Sequence, residues 1–265
     1  MMRSQRDLIY GFFSGGRRLL IVLDACNYDV FVESIGILGS FKLAVSKVLS
    51  MGCCTSEWLK RTFTEPIDAV YVAANPWVPL LLKDNGIFKS IVDVSSRFWD
   101  ERLGTVRAEH VNMVALRYLL KGESVVAHYL QPHPPFVCDT WLKDNGGDPR
   151  FAGREIYVQA IRDGKARSEF RRAYKKNMAY ALGCARKLID AALRLGYKVV
   201  VTSDHSELLG LYAPLKTFRW LFRKHPIKFL KAWLPYAIGL YRVVGHPCNW
   251  KGKELLEVPW VEIYD

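Results

Sequence analysis

Apolar residues fall along the chain in short runs that stop at polar or turn residues, with helical stretches between them. Leu19-Leu20-Ile21-Val22-Leu23 is one such run, entered at Arg18 and ending at Asp24. Val199-Val200-Val201 is another, closing on Thr202-Ser203-Asp204-His205-Ser206-Glu207. Uninterrupted runs of this length read as strands buried on both faces, as parallel sheets require. Further strands are expected at Phe41–Leu49, Asp68–Ala73, around Ile91–Val94 and at Ser124–Leu130, where Gln131-Pro132-His133-Pro134-Pro135 ends regular structure. Helices are expected at Glu57–Thr62, Val78–Lys83 and Ala108–Leu120, the last stopped by Gly122. The longest runs from Ser168 to Leu195, with Tyr174, Met178, Leu182 and Ala185 on one face and Gly196 as its stop. This alternation predicts an α/β fold, a doubly wound and mostly parallel sheet with helices on both faces.

The chain has 265 residues, half of them apolar, enough for one large core. A single domain over 1–265 is expected, with no internal linker. Residues 211 to 243 break the pattern, being rich in aromatics, leucine, lysine and arginine and almost free of acids. Such a segment can lie in a membrane interface, or it can fold back as a lid on its own domain; the apolar run Ala232 to Tyr241 is too short to span a bilayer.

The ends of the two clearest strands carry the candidate chemistry. Open α/β sheets place their ligand sites beyond the carboxyl ends of strands, and there the sequence puts Asp24, Asp204 and His205. Carboxylates and imidazole together suit a divalent ion such as Zn, Mn or Mg. The plainer alternative is that each acid caps a following helix. In Met51-Gly52-Cys53-Cys54-Thr55-Ser56-Glu57-Trp58, Thr55 stands near the start of the expected helix, where backbone N–H groups and the helix dipole hold anions. It reads either as a nucleophile or as a simple N-cap.

Net charge is +12, from 38 Lys and Arg against 26 Asp and Glu, so anionic partners are favoured: phosphate or sulfate esters, acidic lipid surfaces or nucleic acid. Nothing but this charge argues for nucleic acid, since no aromatic RNA-binding signature or zinc finger is present. The six cysteines, Cys26, Cys53, Cys54, Cys138, Cys184 and Cys248, show no paired metal or redox spacing. They read as small core residues of a protein in a reducing cytoplasm, peripheral to the membrane if 211–243 touches it.

Several segments, in order from about residue 18 to 263, resemble the sulfatase-like branch of the alkaline phosphatase superfamily. They are Ile21 to Phe31, Thr55-Ser56-Glu57-Trp58-Leu59, Gln131 to Phe136, Thr202 to Gly210, and Gly245-His246-Pro247 with Val258-Pro259-Trp260. The resemblance implies a doubly wound domain that cleaves phosphate or sulfate esters at a divalent metal (Mn, Zn, Mg or Ca). It implies Asp24, Thr55, Asp204 and His205 as metal ligands, with Thr55 also the nucleophile of a covalent intermediate. Cys54 is the alternative nucleophile if the helix starts one residue earlier, where dipole and metal would favour a thiolate. Asn27, His133 and His246 would contact substrate; His133 and His246 would protonate the leaving oxygen or complete a second metal site. Gln131 stands where two-metal relatives carry an acid, and an amide is a poor carboxylate substitute, so one tightly held ion is expected.

Two positions depart from the pattern: Asn27 stands where Arg is common, and Ser206 replaces Gly in the Asp-His-Gly-Glu motif. The formylglycine signature of classical sulfatases is absent around Cys53 and Cys54. The expected activity is hydrolysis of phosphate or sulfate esters. The alternatives are transfer of a phospho group on a lipid or glycan, and a non-catalytic relative that binds anionic glycans. His110, His128 and His225 receive no role, His128 being read as a core residue within its strand.

Overall fold

The computed structural model describes residues 3–139, 149–211, 234–238, 241–248 and 252–265. Most of the 211–243 segment, and with it the expected membrane contact, lies outside them. Among the described residues no helix is long and apolar enough to cross a membrane.

The strands are β1 (Arg18–Asp24), β2 (Lys42–Leu49), β3 (Ile67–Ala73), β4 (Phe88–Asp93), β5 (Trp99–Asp100), β6 (Thr105–Val106), β7 (Val125–Pro132), β8 (Lys198–Ser203), β9 (Leu208–Leu211), β10 (Val243–Gly245) and β11 (Glu257–Tyr264). The helices are α1 (Gln5–Phe13), α2 (Tyr28–Ser34), α3 (Thr55–Thr62), α4 (Trp77–Leu82), α5 (Ser95–Phe98), α6 (Ala108–Leu119), α7 (Arg154–Arg162) and α8 (Gly164–Arg194). Seven strands form the central sheet in the order β2-β11-β8-β1-β7-β3-β4. β8, β1, β7, β3 and β4 run parallel, while β11 is antiparallel to both β8 and β2. The mixed, mostly parallel sheet flanked by helices is the architecture that the alternating pattern predicts.

The two faces of β1 separate the core. Leu19, Ile21 and Leu23 pack with residues of α2, α6 and α8. Leu20 and Val22 pack on the other side with Ile9 of α1, Trp58 and Leu59 of α3 and Val78 of α4. Because strand side chains alternate, Asp24 continues the even-numbered face and is aimed toward α3. In β7, Val126 lies on that same face, and His128 comes two residues later. In β8, Val200 does so, and Asp204 continues the alternation just past the strand. Period-two geometry therefore collects two acids and an imidazole below the start of one helix.

Three features differ from expectation. α1 occupies a stretch the sequence left unassigned: its Gln5 is fully buried, donating to Thr202 Oγ1 (2.8 Å) and the Ser203 carbonyl (2.6 Å) while accepting from Trp58 Nε1 (2.8 Å). β11 is an interior strand despite Pro259, a residue that ordinarily argues against one. Pro259 accepts the Thr202 hydroxyl at 2.7 Å through its carbonyl. The cysteines also depart from their expected role: Cys54 and Cys248 form a disulfide, whereas Cys26 and Cys184 are buried free thiols, as expected.

Candidate active site

Thr55 is the first residue of α3, and Cys54 is its N-cap. Gly52 makes the entry possible, because a Cβ there would lie 2.3 Å from the Trp58 nitrogen. The Thr55 hydroxyl is therefore not spent on capping. It donates to Asp204 Oδ2 at 2.7 Å and lies 3.4 Å from His205 Nε2. Asp24 and Asp204 cap nothing either, since Asn27 caps α2 and Asp204 leads toward β9 rather than a helix.

Asp204 is fully buried, its Oδ1 accepting the amides of Ala25 (3.0 Å) and His205 (2.8 Å). Ala25 reaches it from a left-handed backbone conformation, φ 54°, that L-residues other than Gly, Asn and Asp rarely adopt. His205 Nδ1 meets the Ser206 carbonyl at 2.9 Å, so Nδ1 carries the proton and the Nε2 lone pair faces 3.4 Å to Asp204 and 3.8 Å to Asp24 Oδ1. Asn75 donates to Asp24 Oδ2 (2.5 Å) and to Thr55 Oγ1 (3.3 Å). Asp24 Oδ1 itself is buried without a hydrogen-bond partner.

The electrostatics fit a cation. Burial, and then the neighbouring charge of Asp204, pushes the Asp24 carboxyl well above its ordinary value, against the pull of Asn75. Burial also acts upward on Asp204, but His205, His128, the Thr55 hydroxyl and the Ala25 amide outweigh it and hold that carboxyl low. Burial lowers His205, keeping its imidazole neutral. Two buried carboxylates, a neutral imidazole with a free lone pair, a hydroxyl and an orphaned carboxylate oxygen form a donor set matched to a divalent ion.

A second group adjoins the first. The rings of His205 and His246 are 4.4 Å apart and those of His246 and His133 are 5.0 Å apart. Tyr157 of α7 donates to Glu207 Oε2 at 2.6 Å, and His246 Nδ1 lies 3.3 Å from the same oxygen. Burial raises Glu207 to about 7 and lowers His133 to about 3 and His246 to about 4. The structure thus gathers Asp24, Thr55, Asp204, His205, His133 and His246 in one place.

Other expectations change. Cys54 is disulfide-bonded to Cys248 and has no thiolate to offer, which removes it as a nucleophile. Asn27 spends its amide on structure, accepting from the Asp29 and Val30 amides and donating to the Glu207 carbonyl. Gln131 turns away, donating to Thr105 Oγ1 and the Val106 carbonyl. Sequence reasoning missed Asn75, Glu207 and Tyr157. Asn75 stands two residues beyond β3, a third polar strand end that the same rule would have flagged, whereas nothing local in α7 marks Tyr157.

The mixed, mostly parallel seven-stranded sheet flanked by helices is a fold shared with solved structures. No protein-family profile matches the chain, and no curated protein does. Among solved structures, the C-terminal periplasmic domain of EptC from Escherichia coli, in complex with Zn, aligns with a TM-score of 0.58 at 11% identity, over 99% of this chain and 75% of that one. The integral membrane protein lipooligosaccharide phosphoethanolamine transferase A (EptA) from Neisseria meningitidis aligns with a TM-score of 0.52 at 12% identity, over 95% of this chain and 48% of that one. The chain thus spans about half the length of EptA, and at these identities the likeness is one of fold.

Proposed function

We propose that this chain is a metal-dependent enzyme of phosphate esters that works through a covalent Thr55 intermediate and passes the phospho group to an acceptor alcohol. The observation that carries this reading is the Thr55 hydroxyl, held 2.7 Å from Asp204 and 3.4 Å from His205 at the start of a helix, beside the orphaned Asp24 Oδ1.

Asp24, Asp204 and His205 would hold a divalent ion, with the Thr55 oxygen beside it. When bound, such an ion lowers the pKa of a hydroxyl it touches and neutralises charge on the transferring group. Thr55 Oγ1 attacks phosphorus while its proton leaves along the existing bond toward Asp204 Oδ2; the bond from phosphorus to the first alcohol oxygen breaks, and that oxygen takes up the proton Thr55 released and leaves as the alcohol. The helix start and Asn75 keep that oxygen in place. His133 and His246 line the side from which the leaving group departs and contact its oxygen. In the second half, the acceptor hydroxyl attacks phosphorus, the bond from phosphorus to Thr55 Oγ1 breaks, and the acceptor's proton passes by way of Asp204 to Thr55.

Transfer is favoured over hydrolysis because a solved structure sharing the fold is that of a lipooligosaccharide phosphoethanolamine transferase. Phosphate is favoured over sulfate because the formylglycine signature is missing. The Cys54–Cys248 disulfide supports an oxidising compartment rather than the cytoplasm expected from cysteine spacing.

The test is incubation of the zinc-loaded protein with a phosphoethanolamine lipid, then intact-mass and peptide mass spectrometry. The reading expects a phospho adduct on Thr55 that is absent in Thr55→Ala and Asp204→Asn and decays faster when a glycan or glycerol acceptor is added. An adduct on another residue, or turnover that survives Thr55→Ala, would refute it.

A further inference from the structure

His128 has a place in the fold that a core residue does not need. It is fully buried in β7, paired in register with Val22 of β1 and Ala73 of β3, on the sheet face that carries Asp24 and Asp204. Its Nδ1 lies 2.9 Å from the Tyr71 hydroxyl. Its Nε2 has no hydrogen-bond partner and lies 4.0 Å from Asp204 Oδ2. One atom each of Asp24, His128 and Asp204 lie within 4.8 Å of one another.

Two buried polar atoms of this cluster are thus left unsatisfied, Asp24 Oδ1 and His128 Nε2, and buried polar groups are rarely left so. A hydrogen bond from His128 to Asp204 would need to close from 4.0 Å to about 3 Å and would still leave Asp24 Oδ1 bare. A cation between them satisfies both, because ligand bonds of about 2 Å separate neighbouring donors by roughly 3 to 4 Å. With the Nδ1 proton given to the Tyr71 oxygen, the Nε2 lone pair is directed at that point, the arrangement by which an outer partner fixes a ligating imidazole.

We infer that His128 is itself a ligand of the metal ion, through Nε2, with Tyr71 holding its ring. The inference rests on the metal-dependent function proposed for this site and adds to it. An imidazole with two carboxylates favours a borderline transition ion such as zinc over Mg or Ca, which prefer all-oxygen sites. The assignment therefore bears on which metal the enzyme carries.

The experiment loads the metal-stripped full chain with Co(II), recording the visible d–d bands, and measures zinc affinity by competition with a chromophoric chelator. Wild type, His128→Gln, Tyr71→Phe and Asp204→Asn are compared, with circular dichroism to confirm folding. His128→Gln is expected to shift the Co(II) bands, to weaken zinc binding by at least roughly tenfold, and to narrow the preference for zinc over Mg. Tyr71→Phe, nearly isosteric, is expected to keep the band positions while weakening affinity. Unshifted Co(II) bands in folded His128→Gln would overturn the ligand assignment, whatever the affinity. If Asp204→Asn also binds like wild type, the metal centre itself is refuted; if only Asp204→Asn loses the ion, the centre stands and His128 alone is excluded.

Discussion

Metal-free protein should become more stable when one of its metal ligands is removed. Asp24 and Asp204 present buried oxygens within 4.8 Å of each other. Without metal, the chain either keeps both charges, which at an effective dielectric of about 20 repel by about 3 kcal/mol, or protonates Asp24, whose carboxyl is held well above its ordinary value, at a linked cost of similar order. Asn removes either cost. In Asp24→Asn the side-chain carbonyl still accepts from Asn75, which now meets Asp24 Oδ2 at 2.5 Å, although a neutral acceptor forfeits about 1 kcal/mol of that charge-assisted bond. The balance is a stabilisation of about 2 kcal/mol, which raises the melting temperature of a chain this size by roughly 5 °C. Thermal unfolding monitored by circular dichroism in chelator measures it directly. Zinc at roughly a hundredfold excess over its Kd should then stabilise wild type by about 2.7 kcal/mol and leave Asp24→Asn unchanged, so the ranking of the two proteins reverses on adding metal. A metal-free Asp24→Asn that melts below wild type, or that gains as much from zinc, would refute the reasoning.

The disulfide and the backbone offer two further tests. Cys54→Ser with Cys248→Ser opens a link across 194 positions, worth up to about 5 kcal/mol in the chain-entropy account. A marked fall in denaturation midpoint is expected, and an unchanged midpoint would contradict the link. Ala25→Gly relieves the left-handed backbone at φ 54°; set against the entropy of glycine, it should leave stability level or raised by about 0.5 kcal/mol. Ala25→Val should cost at least about 2 kcal/mol, as chemical denaturation would show. A β-branched residue tolerated there would mean that the turn is not held as described.

Features set by local pattern were legible in the sequence. The apolar runs at Leu19–Leu23 and Val199–Val201 locate the two central strands, and the acids that stop them are the acids of the site. The helical periodicity around Tyr174 and Met178 locates α8, although its start at Gly164 is masked by a polar first turn. Features that stayed hidden depend on partners distant in sequence. Gln5 is polar yet buried because Thr202, Ser203 and Trp58, up to 198 positions away, satisfy it. Pro259 fits because the ladder of β11 with β8 begins only at Trp260, so at Pro259 the strand is paired on one side, with Lys47 of β2, and its carbonyl takes the Thr202 hydroxyl. His128 reads as core because it lies mid-strand; only the register of β7 against β1 shows that it stands beneath the acids. Likewise no spacing rule could join Cys54 to Cys248, which only the fold brings together.

The position of β11 bears on how the site is put together. Among the described residues, β2, which leads into Thr55, is an edge strand joined to the rest of the sheet through β11, while the other candidate ligands ride on β1, β7 and β8. Thr55 and the ligands of the central strands therefore reach one place through several routes: packing of Trp58 and Leu59 on β1, β11 lying between β2 and β8, and the Ser50 hydroxyl donating to the Asp204 carbonyl. β11 thus carries the approach strand of the nucleophile onto the sheet that holds the acids, so the geometry of the site is set as much by this late strand as by the strand ends that bear the chemistry.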